Sequence, residues 1–352
     1  MTLSILRGEI LGCGTPTAYL TDISGDRRLA SIDLTGLSYS RRLDDTSECR
    51  IDLGAEQADI RCPRALADAE PWRYGLTVYR DADRAWDGPL TEAAFGYDGM
   101  TLQGRDVFAW FERRVHPVDR SFVDIDLSTI AATFMSDALS VDDSPTISFS
   151  VAPSGILGTR AVNALSFTRV SDSLRELFRT GIDFTVVGRR IYLFPEVADD
   201  PILNLTENNF EVTGARLAGL DSANDVIVLG AQPQGVTTPL YGRAGGVDTP
   251  LIQQVYSDPS ILDTDSATAA AESRWRMVNR APLYVTGVLL ESAAISFNNL
   301  VCGRRVRLRQ RVGFKTIDQT MRISAVDVSY SFSDKGSTEV IALTLVPSSV
   351  VE

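Results

Sequence analysis

The chain has 352 residues, 44% apolar and 23% charged, the make-up of a soluble globular protein with room for two or three cores. Its 46 acidic residues outnumber 34 basic ones and give a formal net charge of −12, which argues against a general binder of nucleic acid or anionic membranes. There is no run of about 18 apolar residues, and residues 1–17 lack a basic start and an apolar core, so neither a membrane span nor a signal peptide is expected. The expectation is a chain kept in the cytoplasm unless a larger particle carries it out, with no stable membrane association.

In chain order, residues 1–11 read as an entering strand, followed by strands over 18–20 and 32–41 with a turn at Gly25-Asp26-Arg27 between them. Strands over 49–53 and 58–62 come next. Residues 71–114 are the most informative stretch. Leu76 and Val78 alternate with Thr77 and Tyr79, the period of a half-buried strand. Residues 81–84 make a polar reversal, and the chain resumes through Trp86-Asp87-Gly88-Pro89, where a proline without an N–H predicts a kink or bulge. Tyr97-Asp98-Gly99 turns the chain again, and Asp106 is placed to cap a short helix carrying Val107, Trp110 and Phe111 on one face.

This spacing resembles that of the hub, or minor tail, proteins of long non-contractile phage tails of actinobacteria, relatives of the baseplate hub of contractile tails. The residues that carry the resemblance are Pro71-Trp72, Trp86-Asp87-Gly88-Pro89, Gly104-Arg105-Asp106 and an aromatic helix ending in Arg113-Arg114, extended upstream to residues 37–45 and through the C-terminal strands. The resemblance implies a mainly β fold with an α+β middle, in which two antiparallel β-barrel tube domains flank a mixed α/β domain. The expected boundaries are 1–118 for the first barrel with its helix lid, 119–200 with 235–289 for the middle, and 201–234 with 290–352 for the second barrel. It further implies a structural virion protein at the tail tip, assembled in the bacterial host cytoplasm. A homotrimer would join the six-fold tube to three-fold tip or receptor-binding proteins. The implied partners are the distal tail or tube ring, the tape-measure protein and, in transit, phage DNA passing an exit channel.

Beyond residue 118, a helix is expected over 126–138, capped by Asp126 or Ser128, then a strand over 147–151 and a loop over 154–160. Residues 171–181 read as a helix with Leu174, Leu177 and Phe178 as its stripe, Ser171 as cap and Gly181 as stop. A hairpin over 184–194 follows, then strands over 210–217 and 224–229 leading back into a barrel. Residues 232–250 read as a Gly/Pro/Thr-rich loop, and 266–280 as a helix with Trp275 and Val278 on one side. Strands are expected over 284–290, 294–297, 304–311, 320–330 and 339–345.

The chemistry available is narrow. His116 is the only histidine and reads as a capping or surface residue, which leaves no multi-histidine metal site. Cys13, Cys49, Cys62 and Cys302 have neither zinc nor disulfide-framework spacing and read as buried thiols. Gly12-Cys-Gly14 lacks the third glycine of a dinucleotide loop, and Asp142-Asp143 and Asp263-Thr-Asp265 lack the rest of a calcium loop. Neither an enzyme, a cofactor nor a metal is expected. The alternative is a tail-tip protein that binds carbohydrate or hydrolyses cell wall, for which Trp72, Trp86 and Trp110 could line a groove; the same residues with Phe111 more often fill a core. Alternation along 304–311 puts Val306 and Leu308 on one face and Arg305, Arg307, Arg309 and Arg311 on the other. Without interleaved aromatics, that strip reads as a face meeting carboxylates of a neighbouring domain or subunit rather than a nucleic-acid edge.

Overall fold

Alternating apolar positions in the first hundred residues build seven strands: β1 (Pro16–Asp22), β2 (Arg28–Ile32), β3 (Gly36–Arg42), β4 (Glu48–Gly54), β5 (Tyr74–Arg80), β6 (Asp83–Gly96) and β7 (Gly99–Arg105). The computed structural model describes residues 11–12, 14–54, 66, 68–142, 145–195, 203–232, 237–246, 250–259, 261–279, 281–291, 295–333 and 336–348. The expected strands over 1–11 (Leu11 apart) and 58–62, and the thiols of Cys13 and Cys62, lie outside the described residues. The β5–β6 reversal has Asp81 at φ 57°, a left-handed position that aspartate tolerates. At Gly88-Pro89 the strand does not end. It exchanges partners, residues 83–89 pairing with β5 and the remainder with β7, with a register shift between Leu90 and Glu92. Gly88 is required at the exchange, because a Cβ there would lie 1.9 Å from the carbonyl oxygen of Arg105.

The C-terminal strands close on the same sheet. After β8 to β12, described below, come β13 (Leu203–Thr206), β14 (Phe210–Leu217), β18 (Leu283–Leu289), β19 (Arg305–Val312), β20 (Lys315–Ser333) and β21 (Gly336–Pro347). The 19 residues of β20 serve two neighbours along one edge: residues 315–322 pair with β19 and 325–331 with β3, while β21 lies opposite. The resulting order is β14-β18-β21-β20-β3-β4-β7-β6-β5-β1-β2, with β19 on β20 and β13 on β19. Among the described residues this path is open, because its ends, β2 and β14, do not pair with each other. One apolar core spans both chain ends, from Ala18, Leu20 and Leu76 to Val326, Leu343 and Leu345. The fold is therefore mainly β, with large antiparallel sheets.

The middle of the chain carries a second core. β8 (Arg120–Asp126) pairs with β10 (Leu157–Val162), so part of the loop expected over 154–160 is a strand. Between them lie α1 (Leu127–Leu139), capped by Asp126 through the Ser128 N–H, and β9 (Ser148–Val151). The helix α2 (Val170–Phe178) starts at Arg169 with no side-chain cap, so Ser171 lies inside it rather than capping it. The hairpin of β11 (Ile182–Val187) and β12 (Arg190–Pro195) then pairs with β9. Ile130, Phe134, Leu174, Leu177, Phe184 and Leu193 pack here with Phe108 from the 3-10 turn Val107–Trp110 and Phe111, which caps it.

A third, alanine-rich core forms under α3 (Thr264–Val278), which covers β15 (Asp225–Leu229), β16 (Tyr241–Gly245) and β17 (Gln253–Ser257). Two expectations are corrected here: β15 joins this small sheet instead of returning to the large one, and the 232–250 stretch contains β16. Of the strand expected over 294–297, residue 294 lies outside the described residues and 295–297 form no strand, Phe297–Asn299 being a 3-10 turn. No described helix is long and apolar enough to cross a membrane.

Candidate assembly site

The first β segment and the last are joined by ion chemistry as well as by the sheet. Arg80 of β5 and Glu339 of β21, 2% and 0% exposed, meet in a two-pronged pair, Nε–Oε1 2.7 Å and Nη2–Oε2 2.8 Å. Tyr330 also donates to this carboxylate, and the backbone N–H groups of Gly12 and Gly14 donate at 3.0 and 3.3 Å. Burial pushes the Glu339 carboxyl up, but the bonds from Arg80 and Tyr330 outweigh it and hold the group below its ordinary range. The Arg80 guanidinium lies 4.6 Å from the Phe297 ring centroid, and Arg41 of β3 lies 4.8 Å from the same ring.

Two more buried pairs fix the middle of the chain to the large sheet. Arg322 of β20 bonds Asp183 of β11, and the neighbouring Asp44 accepts from the Phe184 N–H at 2.8 Å. Burial, and then the Asp183 charge, push the Asp44 carboxyl well up. Arg189, in the β11–β12 turn, reaches Asp87 of β6 at 2.6 Å and the Ile23 carbonyl at 3.0 Å. Asp87 also accepts from Thr77 at 2.6 Å. Breaking such pairs one side at a time leaves a buried charge unmatched, so the last two hold the middle core in one placement on the large sheet.

The arginine strip on β19 divides. Val306 and Leu308 are buried, as alternation predicts, but Arg305 is buried with them. Arg307 and Arg309 direct Nε to Asp318 at 2.8 and 3.2 Å, so the carboxylate they meet is on the adjacent strand of their own hairpin. Arg311 is exposed near the hairpin tip, where Phe314 projects fully into solvent.

The tryptophans also differ in place. Trp86 and Phe111 are buried, and Trp86 Nε1 donates to Ser47 Oγ at 3.2 Å. Trp72 and Trp110 are half-buried and meet edge to face at 5.4 Å, with Arg113 over Trp72. Trp72 takes a left-handed φ of 66°, held by its N–H bond to the Leu90 carbonyl. His116 is buried rather than on the surface: its Nε2 lies 2.9 Å from Ser173 Oγ and its ring meets Phe134 edge-on. Burial lowers the His116 pKa, favouring the neutral ring. Cys49 and Cys302 are free and buried.

Sequence reasoning missed the most consequential polar groups. Asp106 was legible as a cap, accepting from the Phe108 N–H at 2.9 Å, but it also accepts the N–H and O–H of Ser47, both at 2.6 Å. Complete burial pushes its carboxyl up to about 6 against those bonds. Nothing local marks the Arg80–Glu339 pair, whose members are 259 positions apart.

Comparison with solved structures places the fold. A 43 kDa tail protein of prophage MuSo2 from Shewanella oneidensis superposes with a TM-score of 0.65 at 12% identity, over 95% of this chain and 99% of that one. A tail protein from Neisseria meningitidis MC58 gives 0.66 at 13%, over 94% and 96%. Prophage tail protein gp18 from Listeria monocytogenes EGD-e gives 0.59 at 12%, over 94% of each chain. No family model matches the chain, and no curated protein matches it in sequence. The chain has the fold of phage and prophage tail proteins.

Proposed function

We propose that this protein is a structural component of a phage tail, a homotrimeric hub at the distal tip. Three copies would join the six-fold tube to three-fold tip or receptor-binding proteins and line part of the DNA exit channel. The observation that carries the reading is the likeness to tail proteins over nearly the whole chain, middle and small third sheet included. The mechanism is geometric. The two β segments that meet at β3 and β20 act as two tube-like units, so that three chains present six. A net charge of −12 suits a lumen that repels DNA phosphates and lets the genome slide. Buried arginine–carboxylate pairs suit the same role, because a ring under load needs its parts in one fixed arrangement.

The test is native mass measurement and negative-stain imaging of the purified chain. The expected result is a particle of three copies with a central channel. A monomer across the micromolar range would overturn the ring, and turnover of purified peptidoglycan would favour a cell-wall hydrolase instead.

A further inference from the structure

A cavity of about 600 Å3 opens where the start of β6, the end of β12 and residues 297–305 meet. Its lining residues combine three aromatics, Tyr192, Phe194 and Phe297, with Arg41, Arg84, Arg304 and Arg305, of which Arg84 is already matched by Asp87 at 3.6 Å. Asp83 is the only carboxylate among the described lining residues. In a chain of net charge −12 this is a local reversal of sign.

Arg41 makes the reversal consequential. It is 4% exposed, bonds the carbonyls of Leu300 and Ala85 at 3.1 and 3.3 Å, and leaves Nε without a hydrogen-bond partner. Among the described residues it has no carboxylate within ion-pair distance, unlike Arg80 on the other contact to Phe297. A buried guanidinium left so is costly, and a carboxylate brought to the cavity would relieve it.

At the far end of β6 the chain offers the complementary shape. The β6–β7 turn carries Phe95, 65% exposed, Tyr97, fully exposed, and the exposed Asp98: two aromatic rings and a carboxylate at a sheet end that β4 also reaches, Gly54 pairing with Gly99. Arg84 and Tyr97 are separated by roughly 40 Å of extended strand at about 3.3 Å per residue, so a molecule does not fill its own cavity.

We propose that the cavity receives the Phe95-Gly96-Tyr97-Asp98 tip of a second copy of this chain, Asp98 facing the arginines and Tyr97 the aromatic wall. The contact is head-to-tail, with tip and cavity at opposite ends of β6, and such a contact closes into a ring when the rotation between copies permits. The inference rests on the self-association in the reading above and names its contact.

The experiment is a charge-swap cycle on exposed residues of the full chain, read by sedimentation. Asp98→Arg and Arg304→Glu should each weaken self-association by about tenfold or more, and the double variant should recover most of the loss. In parallel, Tyr97→Cys and Asn298→Cys variants mixed under mild oxidation should cross-link to each other. Silent single changes, an additive double variant, or a parent that associates while the cysteine pair gives no cross-link would overturn this contact and leave the trimer standing. A parent that stays monomeric would overturn both.

Discussion

Phe297 separates two arginines with opposite fates. On one contact Arg80 is saturated, with Glu339, Tyr330 and two backbone N–H groups completing a sealed polar knot. On the other, Arg41 is as deeply buried but meets only carbonyls and the wall of a cavity. The matched pair ties the first β segment to the last. The unmatched charge is the one the proposed contact between copies would use.

The sharpest break in that comparison is Glu339→Gln. It leaves Arg80 with only the partly exposed Asp81, 3.4 Å from Nη1, as counter-charge and should cost about 3 kcal/mol of folding stability. Arg41→Met removes a charge that has no counter-charge among the described residues and should cost about 1 kcal/mol, measured side by side by chemical denaturation. Equal losses would mean that the two arginines are energetically alike.

Acid–base behaviour sharpens the contrast. Asp106 is buried among neutral donors, with its pKa raised from 3.8 to about 6. Its folded form therefore binds protons more tightly than its unfolded form. The stability it contributes is full below about 4 and is lost as pH rises toward about 6, by roughly 3 kcal/mol at most. Glu339 has a lowered pKa and the opposite sign: its contribution is present above 4.5 and is lost as pH falls through the lowered value. Denaturation of Asp106→Asn and the parent between pH 4 and 7 should show that slope only in the parent.

The smallest effect belongs to the exposed hairpin. Arg307 and Arg309 share Asp318 at the surface, so replacing both with alanine should change stability by under about 1 kcal/mol, and salt should reduce even that. A larger loss would show that the β19–β20 tip is part of the folded core.

What the sequence disclosed and what it hid follow from range. The strand-turn-strand of residues 71–114, the Asp126 cap and the 184–194 hairpin were legible because each is decided by neighbours within about a turn or a pleat. β8 was not, since its side chains are largely exposed on both faces and no apolar alternation marks it. β16 was hidden by the glycines around it. The burial of His116 depends on Ser173, 57 positions away, and its ring's contact with Phe134 on α1. The cavity and its unmatched Arg41 needed three distant segments brought together, which periodicity does not report. On β19 alternation located the buried Val306 and Leu308, but Arg305 is buried with them, and Asp318 of the neighbouring strand pairs with Arg307 and Arg309.

A ring of copies at a tail tip, as proposed, is tested most directly by the native mass of the purified parent protein across the micromolar range. A dominant species of three chains is the predicted result, and a monomer at every concentration would contradict it.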